Sequence, residues 1–220
     1  WVKELRETNY LHNHARMWFA SIWIFTLQLP WTLGADFFLK HLLDGDPASN
    51  TLSWRWVAGL QTRGKAYLAV ADNIRKFTLG RFNPENDIIT TAQPLEWQEP
   101  PKPQRILQNE DVKSNVPTLL IVTEDDLSIR DAPLPHSNIV GIISLNSTKD
   151  RSITEVSDSV LKFSAEAIDV SVTDYVRMNA THITYISDGP IGEIPKIAHE
   201  LGVSQIVSLY SPVGPSQDTV

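Results

Sequence analysis

Along residues 10–29, apolar and small side chains recur at helical spacing (Met17, Ala20, Ser21, Ile24, Leu27) until Pro30 interrupts the run. This predicts an amphipathic helix that stops before the proline. Asn13, Arg16 and Met17 lie three and four apart and share one face of it. A second helix is predicted over residues 33–43, opened by Gly34-Ala35-Asp36 and closed by Asp44-Gly45-Asp46-Pro47. Pro47 suits the first position of a third helix with Asp46 as its cap. Asp44, Asp46 and Asn50 therefore gather at one helix junction, with Trp54-Arg55-Trp56 just beyond.

From Val116 the pattern changes class. Residues 118–123, 138–144, 181–186 and 205–210 are β-branched runs of strand length, and between them lie helical segments over residues 153–176 and 192–201, the latter ended by Gly202. Strand–helix alternation predicts a parallel sheet covered by helices, a Rossmann-like layer. The chain thus divides into a helical segment over residues 1–84, a proline- and acid-rich linker over 85–115 and an α/β domain over 116–220. Within the first segment, residues 57–80 read as an insert with Gly59 and Gly64 marking loops, Asp72-Asn73 as a helix cap, and Arg63, Lys65, Arg75, Lys76 and Arg81 as a phosphate-contacting strip.

Charge sharpens this division. The net charge of −7 is the sum of +4 over residues 1–84, ten Lys/Arg against six Asp/Glu, and −11 over the rest. The more basic part suits a surface that meets a phosphate backbone. No run reaches the length of a membrane helix, and this sequence holds no cysteine for a disulfide or a thiolate-bound iron–sulfur cluster. A cytoplasmic protein with no membrane partner and no metal is expected. His12-x-His14 puts its imidazoles on different helix faces, and Asp44-x-Asp46 runs into Pro47 and Ser49 where a calcium loop needs a ligand and a glycine.

Amide, guanidinium and carboxylate groups among residues that favour burial each need a partner inside the fold or a bound ligand. Two readings are open: a buried salt bridge flanked by helix caps, or a site for a planar, hydrogen-bonding, redox-active ring, with indoles alongside.

The motifs Tyr10-Leu-His-Asn-His-Ala-Arg-Met17, Leu43-Asp-Gly-Asp-Pro-Ala-Ser-Asn50, Trp54-Arg-Trp56 and Arg81-Phe-Asn-Pro84 resemble, in order and spacing, the FAD-binding domain of the DNA photolyase/cryptochrome family. The resemblance implies an all-helical FAD-binding segment followed by a Rossmann-like α/β domain. It implies that Asn13, Arg16, Asp44, Asp46 and Asn50 hold FAD. Arg16 would pair with Asp44 at the isoalloxazine edge, and Asn50 would face flavin N5. Asn13, His14, Met17 and Trp56 would meet damaged DNA, and Trp31 and Trp54 would carry electrons to the flavin. His14 stands where the family pattern has an arginine.

The implied activity is light-driven repair of cyclobutane pyrimidine dimers by a photolyase-like carbon–carbon lyase; the alternative is a cryptochrome-like photoreceptor or redox signalling flavoprotein. Residues 116–220 resemble the family's antenna domain more distantly, with Glu124 and Asp125 in place of arginines, and leave the antenna chromophore open. In the family that domain precedes the flavin domain, whereas here it follows. The resemblance therefore implies an internal portion of a rearranged member whose flavin-diphosphate cradle lies upstream.

Overall fold

The computed structural model of the chain describes residues 1–97, 99, 102, 111–179 and 182–219. They form two units, Trp1–Gln104 and Arg105–Val220. The predicted linker positions 98, 100, 101 and 103–110, and Thr181 of the third predicted strand, lie outside the described residues.

The first unit is helical. Helix α1 (Val2–Thr8) ends on Asn9, whose left-handed backbone (φ 56°) returns its N–H to the Leu5 carbonyl. The Asn9 side chain then donates to the His41 carbonyl at 2.8 Å, and Leu43 N–H donates to the Asn9 carbonyl at 3.1 Å. Those bonds tie α1 to the junction that follows the third helix.

Helix α2 (Asn13–Ser21) starts three residues later than its periodicity predicts, because His12 caps it by accepting from His14 N–H. The apolar run continues, but as a π-helical turn over Ile22–Thr26 that closes with Leu27 N–H on the Ile22 carbonyl at 2.9 Å. Pro30 then caps α3 (Trp31–Leu39), which begins two residues earlier and ends four residues earlier than predicted. Helix α4 (Pro47–Val57) begins as its chemistry requires, with Pro47 in its first turn and Asp46 accepting from Ser49 N–H at 2.5 Å.

In the insert, α5 (Ala71–Phe77) is capped by Val70 with no side-chain bond, not by Asp72-Asn73. Asp72 lies inside the first turn and pairs with Arg75 at 2.7 Å. Residues 85–95 lie against the helices: Ile88, Ile89 and Ala92 pack on the core, and Leu95 N–H donates to the Ala58 carbonyl. The core joins Leu5, Leu11, Trp18, Phe19, Phe25, Phe38 and Trp54, and aromatic rings supply much of its area.

The second unit is an α/β layer around a parallel four-stranded sheet of order β3-β2-β1-β4. Its strands are β1 (Thr118–Thr123), β2 (Ile139–Leu145), β3 (Thr184–Ile186) and β4 (Gln205–Ser208). Every residue of β1 is buried, the expected state of a central parallel strand covered on both faces. One face places Leu120, Val122 and Ile142 against Ile168, Val172 and Tyr175 of α6 (Asp158–Asn179). The other places Leu119, Ile121 and Ile143 against Ile194 and its neighbours on α7 (Ile194–Glu200). A short α8 (Pro215–Thr219) follows. Helix α6 begins at Asp158 rather than near Ile153, whose side chain is fully exposed and has no core to meet.

Two outcomes follow from this packing. Leu120→Ala empties space between the sheet and α6 and is expected to lower stability by about 2–5 kcal/mol, measured by urea unfolding. In the helical unit, burial, reinforced by Lys40 and Arg6 and opposed by Asp36, holds the His41 imidazole below its ordinary value of 6.5. A depressed histidine leaves the unfolded chain binding more protons. Its stabilising effect is therefore complete above the unfolded-state value of about 6.5 and is lost as pH falls through the folded-state value. The urea midpoint should drop as the medium is acidified below pH ~6.5, and His41→Gln should flatten that part of the profile.

Candidate functional site

The junction of α2, α3 and α4 encloses a cavity of about 640 Å³, within the size range of small-molecule and cofactor sites. Of the residues singled out in the sequence, Asn13, Arg16, Met17, Asp44, Asp46, Asn50, Trp54 and Trp56 line it. Two are not in its wall. His14, one residue and about a quarter-turn round α2 from Asn13, stacks on Trp18 at 5.9 Å and lies 5.7 Å from the Phe77 ring. Trp31 opens α3 with the Arg55 guanidinium 6.0 Å from its ring centre.

Each wall group is held from behind. Arg16 donates through Nε to the Leu11 carbonyl at 2.8 Å, and Nη2 reaches both oxygens of Asp44 at 3.0 and 2.9 Å. Its guanidinium also lies 5.4 Å from the Tyr10 ring centre. The Arg16–Asp44 pair is therefore not the buried salt bridge of the first reading: the Asp44 side chain is 56% exposed and that of Arg16 is 24% exposed. Asp46 serves the α4 cap, also within the cavity wall. Asn50 donates through Nδ2 to the Ala35 carbonyl at 2.8 Å, which joins α4 to α3 and leaves its Oδ1 as the acceptor it can offer a ligand. Asn13 Nδ2 approaches the Met17 sulfur at 4.0 Å along the same helix face.

The indoles differ in kind. Trp56 is 39% exposed and stacks on Tyr67 at 5.3 Å and 28°, a flat aromatic pair at the cavity. Burial raises the Tyr67 phenol above its ordinary value, so that partner stays neutral. Trp54 is 2% exposed and fits against Gly34, where a Cβ would lie 2.2 Å from the indole Cη2. Its buried Nε1–H has no hydrogen-bond partner among the described residues. The cavity thus offers an amide acceptor and a carboxylate–guanidinium pair between aromatic surfaces. Sequence reasoning missed Ser49, Ser53 and Gln61 of the wall, which carry no signal beyond their positions on α4 and the loop after it. It also missed Tyr67.

These groups, gathered where three helices meet, can receive a flat, polar-edged heterocycle. Comparison points the same way: residues 1–91 match the FAD binding domain of DNA photolyase. The chain is 46% identical over 61 residues to the deoxyribodipyrimidine photo-lyase of Streptomyces griseus, covering 28% of this chain and 13% of that protein. It is 31% identical over 88 residues to the deoxyribodipyrimidine photo-lyase of Vibrio cholerae, covering 40% of this chain and 18% of that protein. To Cryptochrome-1 of Arabidopsis thaliana it is 30% identical over 139 residues, covering 59% of this chain and 20% of that protein. The chain therefore spans a fifth or less of the length of these relatives. No solved structure matches.

Gly34 is the point at which the wall is most easily tested. Gly34→Ala must push the Trp54 indole out of its seat. It is expected to cost about 1–3 kcal/mol of stability in urea unfolding and to shift tryptophan fluorescence emission.

Proposed function

We propose that the complete protein binds FAD in this cavity and uses it for light-driven repair of cyclobutane pyrimidine dimers. When bound, FAD would supply an electron donor that light excites: one electron passes to a dimer, the ring bonds open, and the electron returns. The chain's own residues bind and orient. Arg16 keeps Asp44 in register at the ring edge, Asp46 completes the wall at the start of α4, and Asn50 offers Oδ1 to an N–H at the ring's centre. Trp54, at 2% exposure, closes the inner side against water. Asn13, Met17 and Trp56 take the extruded lesion at the mouth, where an exposed aromatic plate suits a base flipped from the stack. The observation that carries this reading is the convergence on one cavity of amide acceptor, ion pair and aromatic plate, in a segment that matches an FAD-binding domain.

A second reading is a blue-light photoreceptor or redox signalling flavoprotein. It is favoured by His14, which replaces an always-charged arginine with a group that packs on Trp18 and Phe77. In that reading the α/β unit is a rearranged antenna-type domain that serves signalling.

The decisive experiment is repair of a dimer-containing oligonucleotide by the full-length, FAD-loaded protein under blue light. Reversal of the dimer is expected. Retained FAD without reversal overturns the repair reading and selects the photoreceptor. Trp56→Ala removes a stacking surface worth about 1–3 kcal/mol, so affinity for the lesion should fall about fivefold or more while FAD content is unchanged.

A further inference from the structure

We infer that the α/β unit carries a binding site of its own, at the amino end of β2, for one compact dianion of the sulfate or phosphate type. The connection from β1 to β2 runs along α6: Ser171 donates to the Leu127 carbonyl at 2.9 Å, and Ile129 packs among Ile168, Val172 and Tyr175. Where this connection reaches the last turns of α6, a cavity of about 160 Å³ opens, lined by Arg130, His136, Tyr175, Met178 and Asn179. At ~30 Å³ for each water that is room for about five, enough for a tetrahedral oxyanion. It is too small for a nucleotide.

The polar groups of this wall are arranged to donate. Tyr175 is 3% exposed, with its hydroxyl 2.9 Å from His136 Nδ1, and His136 Nε2 lies 3.0 Å from the Ala132 carbonyl. A carbonyl only accepts, so Nε2 carries a proton in either charge state of the ring. On the neutral ring, Nδ1 accepts the Tyr175 O–H. On the imidazolium, Nδ1–H donates to the Tyr175 oxygen instead, and the phenol hydrogen is released to the cavity. Burial holds the Tyr175 phenol above its ordinary value, so it stays a donor. Asn179 gives one Nδ2 hydrogen to the Tyr175 carbonyl at 2.9 Å and keeps the second.

Arg130 supplies fixed charge. It is exposed at the rim and has no ion pair or hydrogen bond among the described residues. Asp174, which precedes Tyr175 on α6, is held by Arg177 at 2.9 Å. The titratable and charged groups that share the cavity with His136 are therefore Arg130, from its own connection, and Tyr175, from α6. Guanidinium and imidazolium together match two negative charges. Alone, Arg130 opposes a second cation beside it; a dianion between them removes that opposition, so proton and dianion each strengthen the other's binding. Binding takes up one proton on His136 and breaks no covalent bond.

The test uses the full-length protein carrying isotope-labelled histidine, with the His136 imidazole resonance identified by its loss in His136→Gln. Sodium sulfate replaces sodium chloride at constant ionic strength, which holds screening fixed. Sulfate keeps its double charge between about pH 6 and pH 8, so a change of affinity across that range belongs to the protein. The His136 resonance should shift saturably, half-complete at ~1–10 mM sulfate at the lower pH and at about tenfold more at the higher. Arg130→Gln alters only an exposed side chain, and it and Tyr175→Phe should each weaken binding about tenfold or more. A shift that does not saturate, or a midpoint unchanged in Arg130→Gln, overturns the site. Equal midpoints at the two pH values overturn the coupling to His136, and acetate binding as tightly as sulfate overturns the match to a dianion. Methyl phosphate separates the two sources of such an ion: displacement of sulfate supports the end of a phosphorylated molecule, and its exclusion while inorganic phosphate binds supports the free ion.

Discussion

The helical unit depends on one close approach, that of the Trp54 indole to the backbone of α3 at Gly34. Any side chain there would occupy the indole's volume. With hydrogen in its place, α4 comes near enough for Asn50 to reach the Ala35 carbonyl one residue along. The start of α4, capped by Asp46, is then brought beside Arg16 and Asp44. The indole, at 2% exposure, is at once core and cavity wall. Displacing it would disturb the packing of Phe19 and Phe38 as well as the shape of the pocket. Stability and binding geometry are coupled here through a single van der Waals contact.

What could be read in the chain follows from how local each signal is. The start of α4 was legible because Asp46 and Pro47 cap it from within a few residues, and the central strands were legible because burial on both faces demands unbroken β-branched runs. The gathering of Arg16 with Asp44 and Asn50 was legible only through the order and spacing of several motifs, since no local rule pairs residues 28 positions apart. The π-helical turn at Ile22–Thr26 was not legible, because an all-apolar run has no polar beat by which a wider turn can be told from an ordinary one. His14 shows the limit of sequence adjacency, for its neighbour Asn13 lines the cavity while it stacks on Trp18.

The α/β unit is stabilised differently. Its hydrophobic layers cover both faces of β1 and β2, and the carboxyl ends of those strands carry a polar network that closes on itself. Glu124, directly after β1, accepts from the N–H and hydroxyl of Ser147. Ser147 also meets Ser216 at 2.9 Å, and Thr148 donates to Ser164 at 2.7 Å. These hydroxyls are almost wholly buried, so each would be costly without its partner. A carboxylate at position 124 satisfies hydroxyl and amide donors that an arginine, which only donates, would leave unpaired. The acidic residue is thus what makes this strand end self-sufficient.

The Arg16–Asp44 pair shows why the first unit's cluster is better read as a binding wall than as a stabilising device. An ion pair this exposed contributes about 0–1 kcal/mol, too little to explain three separate restraints on one guanidinium. Arg16 is fixed by the Leu11 carbonyl, by the Tyr10 ring and by Asp44, and a long side chain loses rotamer entropy when held so. That cost is offset only if the fixed geometry is itself useful. Both carboxylate oxygens are engaged through a single nitrogen, and each keeps acceptor capacity toward the cavity. Asp46, two residues later, has instead given Oδ1 to the helix cap. The two aspartates of one short turn thus divide the work: one starts α4, and the other, steadied by Arg16, keeps acceptor capacity in the cavity wall.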